Sequence, residues 1–218
     1  MNYNHFSNEI KQKLDSMYLS EDQMGKDSKI YPIDGSTRIN IPCGLDIYNL
    51  CMKVQPKHTL EIGLAYGFST LYFLEAQKTH KFTHTATDPA QFYSYNGIGF
   101  TSAKKYTEEG KFFFHEKLSF DCLNMLYNEN RSYDIIFIDG GHRFDDVLCD
   151  FTLAAQICPV GGYIILDDLL LPSITKVRDF IVNNRNDFIF EQYVSRNLGF
   201  FKKVSNYDDR AWDHFKEF

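Results

Sequence analysis

TLEIGLAYGFSTLYFL, residues Thr59 to Leu74, changes its hydrophobic rhythm halfway along. Leu60 and Ile62 belong to a short apolar strand, Gly63 and Gly67 break it into a tight turn, and Thr70, Leu71, Phe73 and Leu74 continue at helical spacing. A strand, a glycine turn and a helix start make an elbow suited to a nucleotide-type cofactor. Glycine takes dihedrals other residues avoid and lets the main chain approach a ligand, while the helix N-terminus offers unpaired N–H groups. The spacing is Gly-x-x-x-Gly, which differs from the full dinucleotide fingerprint Gly-x-Gly-x-x-Gly. Glu61, near the strand's end, sharpens the reading. A carboxylate there repels a pyrophosphate and attracts a cofactor carrying an ammonium and a sulfonium.

Outward from the elbow the chain alternates strand and helix. Phe82–Asp88 (FTHTATD), the KFFFHEK segment, YDIIFIDGGH and GGYIILDD read as further strands, with helices at 98–108, 120–127, 144–157 and 173–182. DFIFEQYV and LGFFKKV, joined through SRN, read as two closing strands with a hairpin-like connection. Apolar runs of four or five residues suit strands buried on both faces. The expectation is an α/β fold: one doubly wound, Rossmann-like sheet with helices on both faces and ligands outside the carboxyl ends of the strands. Upstream, Phe6, Ile10, Leu14 and Met17 mark an amphipathic helix, and a polar, turn-rich stretch with Gly25, Pro32 and Gly35 follows. A second helix is read over 44–54. Residues 1–42 are therefore taken as an amino-terminal helix and lid-like segment, and 43–218 as the cofactor-binding domain. Arg38 in the lid has two readings, a hold on an acidic substrate group or a structurally paired surface arginine.

Composition narrows the function classes. The chain has 218 residues, 44% of them hydrophobic, and a formal net charge of −6. That balance opposes nucleic acid or anionic membrane as a partner. No apolar run reaches the ~20 residues of a membrane span, and the amino end lacks a signal-peptide core. Cys43, Cys51, Cys122, Cys149 and Cys158 form no C-x-x-C pair. They are read as small buried hydrophobes in a reducing cytoplasm.

The strand ends carry the chemistry. Asp88 lies 21 positions after Gly67, where a nucleoside-binding fold places an acid for ribose hydroxyls, although Thr-Asp-Pro is also a turn-capping sequence. With Glu61 and the elbow it points to S-adenosylmethionine. The cofactor-binding candidates are Glu61, Gly63, Tyr66, Gly67, Ser69, Asp88, Ser119 and Asp139. Ser119 is either a hydrogen-bond partner near the adenine or a helix N-cap. Phe92, Tyr93 and Tyr95 are read either as pocket walls or as loop packing. Asp139, Asp167 and Asp168 end neighbouring strands about 4.8 Å apart, so their carboxylates should converge. Like charges that close need a cation or a proton, and oxygen ligands favour Mg²⁺ or another hard divalent ion. The alternative is that Asp168 caps the next helix. His142, after two glycines, is a candidate general base, with metal-ligand and structural readings beside it.

On LEIGLAYGFST, TATDP, FIDGGH and IILDD, the chain resembles a class I S-adenosylmethionine-dependent methyltransferase over roughly Leu45 to Val204. The last two motifs resemble the metal-dependent O-methyltransferases, including catechol and antibiotic-tailoring sugar O-methyltransferases. That resemblance implies six parallel strands plus one antiparallel. It matches Asp139, Asp167 and Asp168 to metal positions and puts His142 where the catechol enzymes carry a lysine. Ala65 stands where many class I members have glycine. The implied reaction is methyl transfer to a hydroxyl of a small molecule. A metal-independent methyltransferase and a non-catalytic cofactor-binding protein that engages a protein partner are the alternatives. A homo-oligomer is compatible with either.

Overall fold

The computed structural model describes residues 3–218, so the first two residues of the 1–42 segment lie outside it. A helix α1 (Asn8–Tyr18) leads to a two-stranded hairpin, β1 (Gln23–Met24) and β2 (Ile30–Tyr31), then a short 3₁₀ turn and α2 (Ile41–Val54). Strand–helix alternation follows with β3 (His58–Ile62), α3 (Phe68–His80), β4 (Thr83–Thr87), α4 (Ile98–Tyr106), β5 (Phe112–His115) and α5 (Ser119–Asn128). Next come β6 (Ile135–Ile138), α6 (Phe144–Ile157), β7 (Tyr163–Leu166), α7 (Pro172–Asn184), β8 (Phe188–Glu191) and β9 (Gly199–Lys203). The sheet runs β5-β4-β3-β6-β7-β9-β8. All pairings from β5 to β7 are parallel, and β9 lies antiparallel to both β7 and β8. This is the expected doubly wound sheet with one reversed strand.

Alternate residues on each central strand feed different cores. Ile135, Phe137, Tyr163 and Ile165 join the cluster beneath α1, α2 and α3. Leu60, Ile62, Ile136, Ile138, Ile164 and Leu166 join the one beneath α5, α6 and α7. Every residue of β6 and β7 is buried, which explains their unbroken apolar runs. Helix α1 belongs to the first core, with Ile10, Leu14 and Met17 fully buried. Its start is tied to α3, because Ser7 donates to Glu75 from both its backbone N–H (2.8 Å) and its hydroxyl (2.7 Å). Helix α2 starts three residues earlier than the sequence pattern suggests. Asn40 caps it by accepting from the Cys43 N–H, and Pro42 sits in its first turn. Among the described residues no helix is long and apolar enough to cross a membrane.

Two glycines fix the elbow. Gly67 has φ +85° and starts α3 with its Cα side against Gly99 of α4. Gly63 has φ +92°, and a Cβ there would stand 2.0 Å from the Asp139 carbonyl oxygen. The ends of β3 and β6 are thus pressed together at a point that tolerates no side chain. Gly161 provides a matched control, since its φ is +90° and nothing lies within 4 Å of its would-be Cβ. Gly161→Ala should lose only the left-handed backbone penalty, about 1 kcal/mol. Gly63→Ala adds the overlap and should lose at least about 3 kcal/mol. Urea unfolding midpoints measure the difference, and equal losses would show that the contact at Gly63 is not tight.

Candidate active site

The elbow is held from behind by a carboxylate. Glu61 is fully buried on the α3 side of the sheet, where Ser69 donates to Oε1 and Thr70 to Oε2 (2.6 Å). His84 Nε2 stands 3.1 Å from the same Oε2, and its Nδ1 lies 2.8 Å from the Thr59 hydroxyl. Phe73 stacks on the His84 ring at 4.8 Å. These partners satisfy a charge that burial alone would make costly. Glu61 lines neither of the cavities at the strand ends, which corrects the expectation that it meets a cofactor directly. Strand alternation is the reason, since Glu61 shares a face with Thr59 and so points under α3. Tyr66 also departs from expectation. It is buried in the core and packs edge-on against Tyr95, outside both cavity walls.

Asp88 secures the turn from the front. Its Oδ2 accepts from the N–H groups of Leu64 (3.1 Å) and Ala65 (2.8 Å), and its Oδ1 from Ala90 (2.8 Å). Ala65, the residue in place of a family glycine, has φ +43°. The turn-capping reading of Asp88 holds, and it leaves room for a ligand, because a carboxylate has about four acceptor sites and three are used.

Two cavities open at the carboxyl ends of the strands. One, of about 520 Å³, is lined by residues that include Asp88, Ala90, Ser119, Phe120, Cys149 and Asp150. The other, of about 330 Å³, is bounded by Ser36 to Asn40, Gly67, Ser69, His142, Asp167, Asp168 and Asn197. Gly63, Ala65, Tyr95, Asp139 and Gly140 line both. Gly63, Gly67, Ser69, Asp88, Ser119 and Asp139 therefore all reach this cleft. Of the aromatic loop only Tyr95 does. Phe92 packs on Phe100 and Phe114 under the Lys26 ammonium, and Tyr93 is exposed. Arg38 lines the smaller cavity while its Nε donates to Gly35 O (2.7 Å) and its Nη1 to Tyr18 O (3.2 Å).

The acids converge in the smaller cavity. Ligand atoms of Asp139, His142 and Asp168 all lie within 4.8 Å of one another. His142 Nε2 is 2.9 Å from Asp168 Oδ2 and 3.9 Å from Asp139 Oδ1. Asp167 lies beside them, with Oδ1 accepting from the Asp168 N–H (2.7 Å). Burial, then the charges of Asp167 and Asp168, hold the Asp139 carboxyl well above the ordinary range. Burial and the neighbouring Asp168 push Asp167 up to about 7. The hydrogen bond between His142 and Asp168 has the opposite effect on Asp168, lowering it, and raises the imidazole. Ser173 fixes the histidine's loop by donating to His142 O (2.6 Å).

Asn197 is a site residue that motif reading overlooks. Its side-chain amide donates to Asp168 Oδ1 (3.0 Å) and Asp167 Oδ1 (3.3 Å), and its backbone carbonyl accepts from the Leu169 N–H (2.9 Å). The signal was topological. A reversed last strand beside β7 pairs Leu166 with Gly199, so the residues just before β9 must arrive at the acid cluster.

Proteins of known structure share this fold. A search of solved structures finds the SAH-bound methyltransferase PaMTH1 of Podospora anserina, 14% identical, with a TM-score of 0.68 over 91% of this chain and 89% of that one. The O-methyltransferase TomG of Streptomyces achromogenes, in complex with SAM, is 17% identical with a TM-score of 0.68 over 91% of each chain. At that identity both speak for the fold. Uncharacterized protein R132 of Acanthamoeba polyphaga mimivirus is 29% identical over 90 residues, which span 38% of this chain and 39% of the viral protein. A family model described as methyltransferase domain matches residues 60–169. Those residues run from the elbow strand to the loop that carries the paired aspartates and make up just over half the sequence, so the chain belongs to the class I S-adenosylmethionine-dependent methyltransferases.

Proposed function

We propose that the protein transfers a methyl group from S-adenosylmethionine to a hydroxyl oxygen of a small polar molecule, assisted by a divalent cation such as Mg²⁺. The observation that carries this reading is the pair of cavities meeting at Gly63, Ala65, Tyr95, Asp139 and Gly140. A donor seated at the elbow would face a second hollow of small-molecule size, walled by Ser36, Thr37, Asn40 and Asn197. Such a wall suits a hydroxylated acceptor. The O-methyltransferase named among the structural relatives supports the same acceptor atom.

The donor set fits a hard cation. Three carboxylates share one wall, and burial followed by the charge of neighbouring aspartates raises the pKa values of Asp139 and Asp167, which is the cost of leaving that charge unbalanced. Asp139 and Asp168 would hold the ion, with Asp167 on the same cavity wall. When bound, the ion would lower the acceptor hydroxyl's pKa and orient it. His142 would take the proton. With Nε2 against Asp168, Nδ1 is the ring nitrogen left to accept it. S-adenosylmethionine would supply the methyl group and leave as S-adenosylhomocysteine, while His142 would hold the proton released from the acceptor hydroxyl. The 2.9 Å contact between His142 and Asp168 also supports a second reading, in which that pair works as a general base without a metal.

Titration with Mn²⁺ followed by electron paramagnetic resonance, in the presence of S-adenosylhomocysteine, separates the two readings. Binding should weaken at least about tenfold in Asp139→Asn and Asp168→Asn. Tritiated methyl transfer to a panel of catechols and vicinal-diol sugars should stop in excess EDTA, while calorimetric binding of S-adenosylhomocysteine persists. Turnover that survives EDTA would move the chemistry to the His142–Asp168 pair.

The acid cluster also predicts a pH-dependent stability. A carboxyl raised to about 7 keeps a proton in the folded protein that the unfolded chain releases near pH 4. The destabilisation therefore grows as pH rises between those values and is complete above them. In EDTA, Asp167→Asn should melt several degrees above the unsubstituted protein at pH 8, at about 2–4 °C per kcal/mol for a chain of this size. The two should converge only below about pH 4. Parallel melting curves across the range would rule out like-charge repulsion at this site.

A further inference from the structure

Asp46, on α2, is a buried acid that takes no part in the proposed methyl transfer. It is 3% exposed and lines neither cavity, so it is placed to touch neither donor nor acceptor. Its Oδ2 accepts from the Ser195 N–H at 2.7 Å, across 149 residues of sequence. Burial pushes the carboxyl up, and the Ser195 and Val194 N–H groups pull it back toward the charged form. A buried charge is costly unless it is hydrogen-bonded, and a charge-assisted bond is roughly twice as strong as a neutral one.

What Asp46 holds is the connection between β8 and β9. Ser195 turns inward there, buried between the exposed Val194 and Arg196. Its hydroxyl lies 2.6 Å from the thiol of Cys43, which stands three residues before Asp46 on the same face of α2. The same hydroxyl accepts from the Asn197 N–H at 3.2 Å, and the Asn197 side-chain amide reaches Asp168 and Asp167. A continuous run of hydrogen bonds therefore leads from Asp46 through Ser195 and Asn197 to the acid cluster. Helix α2 meets the smaller cavity twice, directly through its cap Asn40 and by this run through Asn197.

We propose that Asp46 is a positioning residue for the acid cluster, gripping the Ser195 N–H and so aiming the Asn197 amide at Asp167 and Asp168. Its effect on cation affinity rests on the cation reading of that cluster. Groups behind a metal ligand fix its direction, and losing one typically costs roughly 10–100-fold in metal affinity. Without the grip the connection would stay anchored by Leu198 in the core and by Tyr193 against Phe200. The fold would persist while the amide lost its aim.

Mn²⁺ titration followed by electron paramagnetic resonance, with S-adenosylhomocysteine present, reads the effect without turnover. Affinity should fall at least about tenfold in Asp46→Ala and stay within about threefold in Asp46→Asn, whose amide oxygen can still accept from Ser195. Binding of S-adenosylhomocysteine should be unchanged in both, and a parallel loss there would mark a general structural defect and overturn the proposal. In an Asn197→Ala background, Asp46→Ala should cost no more than about twofold, since the link it acts through is gone. Full additivity of the two losses would overturn the proposal, as would unaltered Mn²⁺ affinity in Asp46→Ala. One measurement needs no variant to fold. In the unsubstituted protein the Ser195 amide should exchange with deuterium at least about 100-fold more slowly than that of Arg196, and equal rates would overturn the grip. Should the unsubstituted protein bind no Mn²⁺, the cation reading fails by itself and the Asn197 side-chain amide resonances carry the test. They should shift in Asp46→Ala and return in Asp46→Asn, and signals unmoved by Asp46→Ala would overturn the positioning role.

Discussion

The Gly63 backbone pressed against the Asp139 carbonyl is the contact on which the rest of the site depends. Parallel strands already bring Ile62 level with Ile138, but ordinary residues beyond them would splay apart to make room for side chains. A glycine at left-handed φ removes that wedge. The floor of the cofactor hollow and the edge of the acid cluster then become the same few atoms. This contact makes two cavities into one continuous cleft, and in the proposed reaction a methyl donor and an oxygen nucleophile would meet there at short range.

Holding that contact requires a rigid elbow, and a buried charge supplies the rigidity. Glu61 accepts from Ser69 and Thr70 at the start of α3 and stands beside His84 of the next strand. One carboxylate thus ties together β3, β4 and the helix N-terminus. On the other side of the turn, Asp88 accepts from Leu64 and Ala65. The elbow is clamped between two acids, one wholly internal and one at the cavity wall. Such a network is worthwhile only when fully satisfied, which is why the serine, threonine and histidine matter as much as the glutamate.

Much of this architecture was legible in the sequence because it depends on local pattern. The four-residue apolar runs IIFI and YIIL can only be strands covered on both faces. Helix α6 ends where Pro159 requires, and its 144–157 span follows from that. Asp139, His142, Asp167 and Asp168 converge because all follow adjacent parallel strands. What local pattern hides is orientation. Glu61 and Tyr66 flank the elbow's glycines in sequence but face the core, and for Glu61 the two-residue alternation of β3 already carried that information. Asn197 was hidden for a different reason. It lies 58 residues after Asp139 in a connection with no motif of its own, and only the reversed final strand delivers it to Asp167 and Asp168.

The reversed strand deserves its place in the functional account for that reason. If β9 ran parallel to β7, its preceding connection would end at the amino side of the sheet, far from the acids. Running antiparallel, it returns the β8–β9 connection to the carboxyl end of β7, where the Asn197 side-chain amide bonds both aspartates and its backbone carbonyl takes the Leu169 N–H. Asp168 sits there at φ +55°, a backbone state that an aspartate adopts only with local support. The Asn197 bonds and the His142 contact provide it. The last hairpin therefore fixes where the Asp168 carboxylate can point, and the edge of the sheet farthest from the elbow in sequence becomes part of the same cleft.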